Sequence, residues 1–397
     1  MSEQTIPQFP MTRAAPLDPP PEVMRLLRDE PVSRVRLWNG QTAWLVTRYQ
    51  DARAVMQSSD FSADVSRPGY PKVEPGLAQF TEGLLNHMDS PEHDRYRRML
   101  APAFMVKRIE QLRPGVEAIV DELIDAMIAS GPPLDLVPSF ALPLPARVTC
   151  ELLGVPLADQ ALFVESAETF LGGRATLEAG AKGRELLIGY LGDLIDENGQ
   201  APSDGLLGYM TSEYLVKGEI SKDMLLKIAL LVLIAGFDTT ANMVTLGMLT
   251  LWQYPDQLAE LRRDPELIPS AVEELLRYLT VTQWGRHKVA LKDVEVRGVT
   301  IRAGEGVIVA QDAANRDEAV FANPNALDVH RDARNHLAFG QGVHQCLGAA
   351  LARLELRISF AALLRRLPTL HSTEPIDGLD FKHSAAVYGV RSLEVAW

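Results

Sequence analysis

Apolar residues recur at helical spacing through most of the chain, and the few exceptions are short. The longest periodic stretch runs over residues 221–254, with an unbroken apolar core of ten residues, 228–237, bracketed by Lys227 and Asp238. Ten apolar residues fall short of the roughly 20 that cross a bilayer, so the pattern predicts a buried core helix. Residues 349–360 are rich in Ala and Leu at the same spacing and predict a second strong helix. Residues 134–156 read as a loop leading into an apolar helix that contains Cys150, and 163–192 as helices interrupted at Gly172 and Gly173. Alternation appears at 32–46, where two strands flank Asn39-Gly40 and predict a type I′ hairpin. A second strand-rich patch covers 294–310, punctuated by Gly298, Gly304 and Gly306. Residues 60–88 are too rich in Pro and Gly for a long element and predict a functional loop, after which Ser90 and Pro91 read as the N-cap and first position of a helix. No repeat or Gly/Ser linker interrupts the pattern. The expectation is one continuous domain, 1–397, mainly α with small β-sheets.

Composition narrows the function classes. With 47% hydrophobic and 23% charged residues the chain can build a sizeable core, and a formal charge of −13 with pI near 5.2 argues against a general nucleic-acid binder. Two cysteines cannot make a disulfide framework and suit a reducing cytoplasm. Residues 1–22 are polar and proline-rich with no apolar h-region, which predicts a chain neither exported nor anchored to a membrane.

The chemistry concentrates in Phe-Gly-Gln-Gly-Val-His-Gln-Cys-Leu-Gly at 339–348. Cys346 sits where a glycine-rich loop meets a helix N-terminus, a place that favours thiolate, and Gly340, Gly342 and Gly348 allow close backbone approach. Zinc and iron-sulfur sites want about four protein ligands, whereas a haem iron needs one axial ligand. The economical reading is a haem thiolate; the bland one is a structural cysteine. The Cys150 environment, without glycines or flanking cations, reads as core. Within the long helix, Ala235-Gly236-Phe237-Asp238-Thr239-Thr240 sets an ionisable group and two hydroxyls in an apolar run, a cost that asks for a use. The alternative is Thr239 bonding back to its own helix. His93 and Arg97 share one helix face, and Glu274 and Arg277 form a one-turn pair that in isolation reads as an ordinary surface ion pair.

Taken together, Phe-Gly-x-Gly-x-x-x-Cys-x-Gly, Ala-Gly-x-Asp-Thr, His-x-x-x-Arg and Glu-x-x-Arg make the chain resemble the cytochromes P450, over motifs spanning residues 88–348. The resemblance implies a helical prism with haem b between the Asp238 helix and the Cys346 loop. It implies a soluble, monomeric, cytoplasmic monooxygenase of a lipophilic substrate, with ferredoxin and ferredoxin reductase as electron donors. It also assigns roles: Cys346 as iron ligand; Phe339, Gly340, His344 and Gly348 around it; Ala235 and Gly236 leaving room over the iron; Thr239 and Asp238 delivering protons; His93, Arg97, Arg286 and His336 gripping the haem carboxylates; Glu274 and Arg277 bracing the core. The companion arginine of Glu-x-x-Arg is not evident in 324–328, leaving His330 or Arg331. Candidate substrate segments are 65–85, 163–173, 281–284 and 385–388. The basic residues Arg98, Lys107, Arg353, Arg357, Arg365 and Arg366 form a candidate ferredoxin surface. A haem gas sensor or carrier, or a peroxide- or NO-using relative, is the rival reading.

Overall fold

A computed structural model describes residues 6–74, 83–171 and 177–397. Its longer helices are α1 (Pro21–Asp29), α2 (Tyr49–Gln57), α3 (Glu92–Leu100), α4 (Arg113–Ser130), α5 (Pro143–Leu153), α6 (Gln160–Leu171), α7 (Leu177–Gln200), α8 (Lys222–Gln253), α9 (Pro255–Arg263), α10 (Ile268–Leu279) and α11 (Ala349–Arg366). The strands are β1 (Val32–Arg36), β2 (Thr42–Val46), β3 (Phe61–Ser62), β4 (Leu134–Asp135), β5 (Arg286–Ala290), β6 (Val294–Val296), β7 (Val299–Ile301), β8 (Gly306–Val309), β9 (His371–Ser372) and β10 (Glu394–Ala396). They form one five-stranded sheet, one three-stranded sheet and one hairpin, so the expected mainly helical class with small sheets holds. The chain gathers into two compact units, each interleaved from three stretches: Met1–Arg95 with Pro269–Cys346 and Phe381–Tyr388, and Tyr96–Ile268 with Leu347–Asp380 and Gly389–Trp397.

The first unit is built on the sheet ordered β1-β2-β8-β5-β3. One face packs Val46, Ala290, Val307 and Val309 against Tyr49, Met56 and Leu337; another cluster joins Ile308, Val35 and Leu45 to Phe9, Leu26 and Trp284. The β1-β2 hairpin is present, but its turn is not type I′. Only Gly40 of the predicted pair takes a left-handed φ, +82°. Leu37 N–H reaches Gln41 O at 2.8 Å and Gly40 N–H reaches Leu37 O at 2.9 Å, making a three-residue loop closed by a glycine bulge. Asn39 Oδ1 accepts Gln41 N–H at 3.0 Å, which gives the asparagine an ordinary backbone and a local bond in place of a left-handed one. Ahead of α3, His93 N–H bonds Asp89 O at 2.9 Å, so the first carbonyl acceptor is Asp89, one residue before the expected cap at Ser90.

The second unit is organised on α8. Ser221 caps it, its hydroxyl accepting Met224 N–H at 3.2 Å, and the helix ends one residue short of Tyr254, close to the predicted span. It is long and apolar enough to cross a membrane by length and composition, yet it packs against α5, α7 and α11 as the core helix of its unit. A Cβ on Gly247 would come within 2.5 Å of the Phe360 ring, so α8 and α11 approach as closely as they do because position 247 lacks one. Cys150 is fully buried in α5, and burial pushes its thiol up to about 12, leaving an inert core residue as expected. Gly172 and Gly173 lie outside the described residues.

Candidate active site

Cys346 follows a short helical turn, Gly342–His344, and precedes α11 by two residues, with Gly348 as the cap. Its N–H bonds Phe339 O at 2.8 Å, closing the loop on itself. Two of the three glycines earn their place by conformation: Gly340 at φ +70° and Gly342 at φ +75°, where a Cβ would also sit 2.8 Å from Met56 O. Gly348 has φ −80° and needs no left-handed freedom; open space lies where its Cβ would be. Cys346 itself is half-buried and in no disulfide. Among the described residues no three His, Cys, Asp or Glu side chains gather as a metal site.

Around this loop the first unit brings together three of the expected groups. The His93 ring, 1% exposed, lies 4.2 Å from that of His344, and Arg286 stands beside Gly340, its Nε 3.7 Å from where a Cβ would be. Arg286 Nε is buried with no hydrogen-bond partner among the described residues. An orphaned guanidinium nitrogen beside the cysteine loop fits a carboxylate-bearing cofactor. Arg97 is half-buried one turn along α3 from His93. His336 is buried in the first unit, 6% exposed. Its Nδ1 accepts Ala338 N–H at 3.1 Å, and its Nε2 lies 3.3 Å from the buried Glu273 carboxylate. Both contacts lie within its own unit.

Sequence reasoning also passed over Lys288. It shares a face of β5 with Arg286, two residues away, and is 5% exposed, yet its ammonium reaches only Phe61 O, at 3.4 Å. Burial brings it down to about 8, with Asp89 opposing and Arg286 adding to the shift. The strand period of two, counted from Arg286, was the signal that could have found it.

In the second unit, α8 carries the other motif. From Thr240 to Leu251 the helix is closed on all sides, but Ile234 and Ala235 are exposed and Asp238 and Thr239 only half-buried, so the pair is not sunk in the core as expected. Thr239 Oγ1 donates to Ala235 O at 2.8 Å, the back-bond weighed as the alternative. That bond commits the hydroxyl proton and turns the oxygen outward as an acceptor. Asp238 is pinned by Asn242, whose Nδ2 donates at 2.7 Å to both its carbonyl and its carboxylate. Gly389 makes room for Asn242, since a Cβ there would meet its amide oxygen at 1.6 Å.

Glu274 and Arg277 are not a surface pair. Both side chains are 0% exposed, joined by two bonds of 2.7 Å, and Arg331 Nε reaches the same carboxylate at 3.1 Å. Arg331, not His330, is the companion arginine.

Comparison with known proteins agrees with this chemistry. The protein-family model Cytochrome P450 matches residues 193–381. Cytochrome P450-SU2 of Streptomyces griseolus is 45% identical over 404 residues, covering 100% of this chain and 99% of its own. Vitamin D3 dihydroxylase of the same organism is 43% identical over 395 residues, 98% of this chain and 97% of its own. The crystal structure of GfsF superposes with a TM-score of 0.95 at 43% identity, covering 98% of this chain and all of that one. Similarity of this degree over whole chain lengths means that the protein belongs to the haem-binding cytochrome P450 monooxygenase family.

Proposed function

We propose that the protein hydroxylates or epoxidises a medium-to-large lipophilic molecule, using dioxygen and two electrons from a ferredoxin. The observation that carries this reading is the half-buried thiol of Cys346 in a glycine-shaped loop, with His93, His344 and Arg286 gathered in the same unit. The Cys346 thiolate would hold a haem, whose iron would supply the chemistry of dioxygen activation, the sulfur's electron density favouring O–O cleavage. Per turnover one oxygen atom enters the substrate and the other leaves as water, with two protons taken up. Arg286 and Lys288, on one strand face, would hold the cofactor's carboxylates as paired cations. Thr239 Oγ1, its own proton held on Ala235 O, accepts a hydrogen bond and so holds a proton donor in place. Asp238, oriented by Asn242, passes protons inward. A relative named for acting on vitamin D3 supports a lipophilic substrate.

The electron donor is read from the second unit. Met105 and Val106 are 58% and 67% exposed, beside exposed Arg98, Lys107 and Arg108. This apolar and basic patch on a chain of charge −13 suits an acidic ferredoxin. Arg365 and Arg366 contribute less than expected, since Asp121 and Asp125 face them. Reduction by ferredoxin is expected to slow steeply as the Debye length falls from about 10 to about 3 Å, and in Lys107→Glu. A rate indifferent to both would place the partner elsewhere.

The decisive test is the carbon monoxide complex of the reduced protein. Wild type should give the red-shifted thiolate band and Cys346→Ala should lose it; a surviving band overturns the ligand. In the same preparation Thr239→Ala should keep the band and divert electrons from NADPH into hydrogen peroxide, and an unchanged coupling ratio removes Thr239 from the proton path.

A further inference from the structure

The N-terminal stretch forms a strap pinned at two points of the first unit. At one end Phe9 N–H bonds Arg36 O and Arg36 N–H bonds Pro7 O, both at 2.8 Å, extending the sheet beyond β1. At the other, the buried Arg316 reaches the Asp18 carboxylate at 3.5 Å and Leu17 O at 3.4 Å. Between these pins lies Arg13, 7% exposed. Its Nη1 donates to Asp18 O at 2.6 Å and its Nη2 is 4.0 Å from the buried Asp312 carboxylate. Nε and Nη2 have no hydrogen-bond acceptor among the described residues. A buried cation so poorly bonded is costly, and what it covers is the ring of Tyr388, 4.2 Å from the guanidinium carbon.

Tyr388 closes the segment Phe381–Tyr388, which the structure locks to residues 281–284. Tyr388 N–H bonds Val281 O at 2.8 Å, Val387 bridges Thr282, and Gln283 N–H bonds Ala386 O at 3.1 Å. The Gln283 side chain then spans the carbonyls of Lys382, His383 and Ala385. Tyr388 stacks on Phe381 at 5.6 Å and 7°, and Trp284 packs in one cluster with Phe9 of the strap. The two segments are a single patch, backed by the strap.

We infer that Arg13 is a positioning residue for substrate selectivity: from the N-terminal strap its guanidinium fixes Tyr388, and through Tyr388 the joined segments 281–284 and 385–388. This rests on the proposed reading of those segments as substrate contacts. The cation braces the patch from behind and touches neither substrate nor cofactor. Arg13→Met keeps the chain length and removes the charge over the ring; Arg13→Lys keeps a charge without the planar fork.

The probes are two iron-binding azoles titrated by the haem spectrum: imidazole, which needs little room, and econazole, whose bulk must fit the substrate patch. Arg13→Met should retain the thiolate-type carbon monoxide band and bind imidazole within about twofold of wild type, while econazole weakens about fivefold or more, the worth of one cation–π contact. Arg13→Lys should fall between. Equal shifts for both azoles, or none, overturn the inference and leave Arg13 as a stabilising residue. If Arg13→Met fails to take up haem, Tyr388→Leu removes the ring while leaving Arg13 its contacts to Asp18 and Asp312; it must show the same econazole-selective loss or the inference falls. A wild type lacking the thiolate band would sink the functional reading instead, and is a separate outcome.

Discussion

Glu274 in α10 and Glu355 in α11 are both sealed from solvent, at 0% and 3% exposure, and only the first has cations against it. Its carboxylate accepts from Arg277, Arg331 and Asp328 N–H. Arg277 in turn donates to the carbonyls of Asn315, Pro324 and Ala326, so one buried charge ties a helix to the irregular stretch that leads toward the cysteine loop. Among the described residues Glu355 has no charged neighbour that shifts it and its Oε2 has no hydrogen-bond partner; burial alone pushes it up to about 8. At neutral pH it is therefore mostly a protonated acid. A buried carboxylate organises its surroundings only where the chain supplies the counter-charge; elsewhere it keeps its proton and behaves as a polar filler with an energetic cost.

The largest effect expected is at Glu274. Glu274→Ala leaves Arg277 buried without a carboxylate and Arg331 without one of its partners, and removal of one side of a buried pair costs about 3–5 kcal/mol. A folded yield and melting temperature close to wild type would show that the pair is dispensable. Glu274→Gln should sit nearer to Ala than to wild type, since an amide cannot neutralise two guanidinium groups.

Glu355 should behave in the opposite sense. Its folded pKa, about 8, lies above the unfolded carboxylate value of 4.5. Below pH 4.5 both states are protonated and the residue costs nothing through ionisation. As pH rises toward 8 the unfolded state gives up its proton first, so stability falls through this window and levels off above it. The full difference is roughly 4–5 kcal/mol as an upper figure. Melting temperatures of wild type and Glu355→Gln should be closest near pH 4.5, diverge up to about pH 8 and keep a constant gap above it, the glutamine variant being the more stable. Parallel curves across that range would mean that Glu355 is ionised and paired in solution.

What the sequence disclosed follows the same division. Local patterns were legible: the Cys346 loop, the long helix with its Ser221 cap, and the paired strands at 32–46 all rest on residues adjacent in the chain. The hairpin type was missed because a glycine's left-handed backbone is visible in sequence while its neighbour's ordinary one is not. Groups that meet across distance were harder. Glu274 and Arg277 look like a surface pair until the stretch from 315 to 331 closes over them, and Arg331 is 57 residues from its carboxylate. The approach of His336 to the Glu273 carboxylate, on α10, is likewise a contact that no local pattern announces. Lys288 was hidden because a single lysine in a strand carries no motif, only a period.

The smallest effect separates the two arginines of Glu274. Arg277 is fully enclosed and every donor it offers is spent on the carboxylate or on three carbonyls. Arg331 is 12% exposed and divides its donors between Glu274, the Ala322 carbonyl at 2.6 Å and longer bonds to Asn323 and Ala326 at 3.3 and 3.4 Å. Water can replace part of what Arg331 does, and Asn323, whose carbonyl accepts from the fork, sits in a turn at φ +47°. Arg331→Lys keeps a positive charge for Glu274 and gives up the planar geometry, a loss of about 1 kcal/mol. Arg277→Lys gives up the same geometry where no water can enter and should cost about 3 kcal/mol. The checking measurement is a pair of denaturation curves at pH 7. Equal losses would mean that both arginines serve only as charges for Glu274; a larger loss at 277 would show that its reach to the 315–326 carbonyls is what the enclosed pair is for.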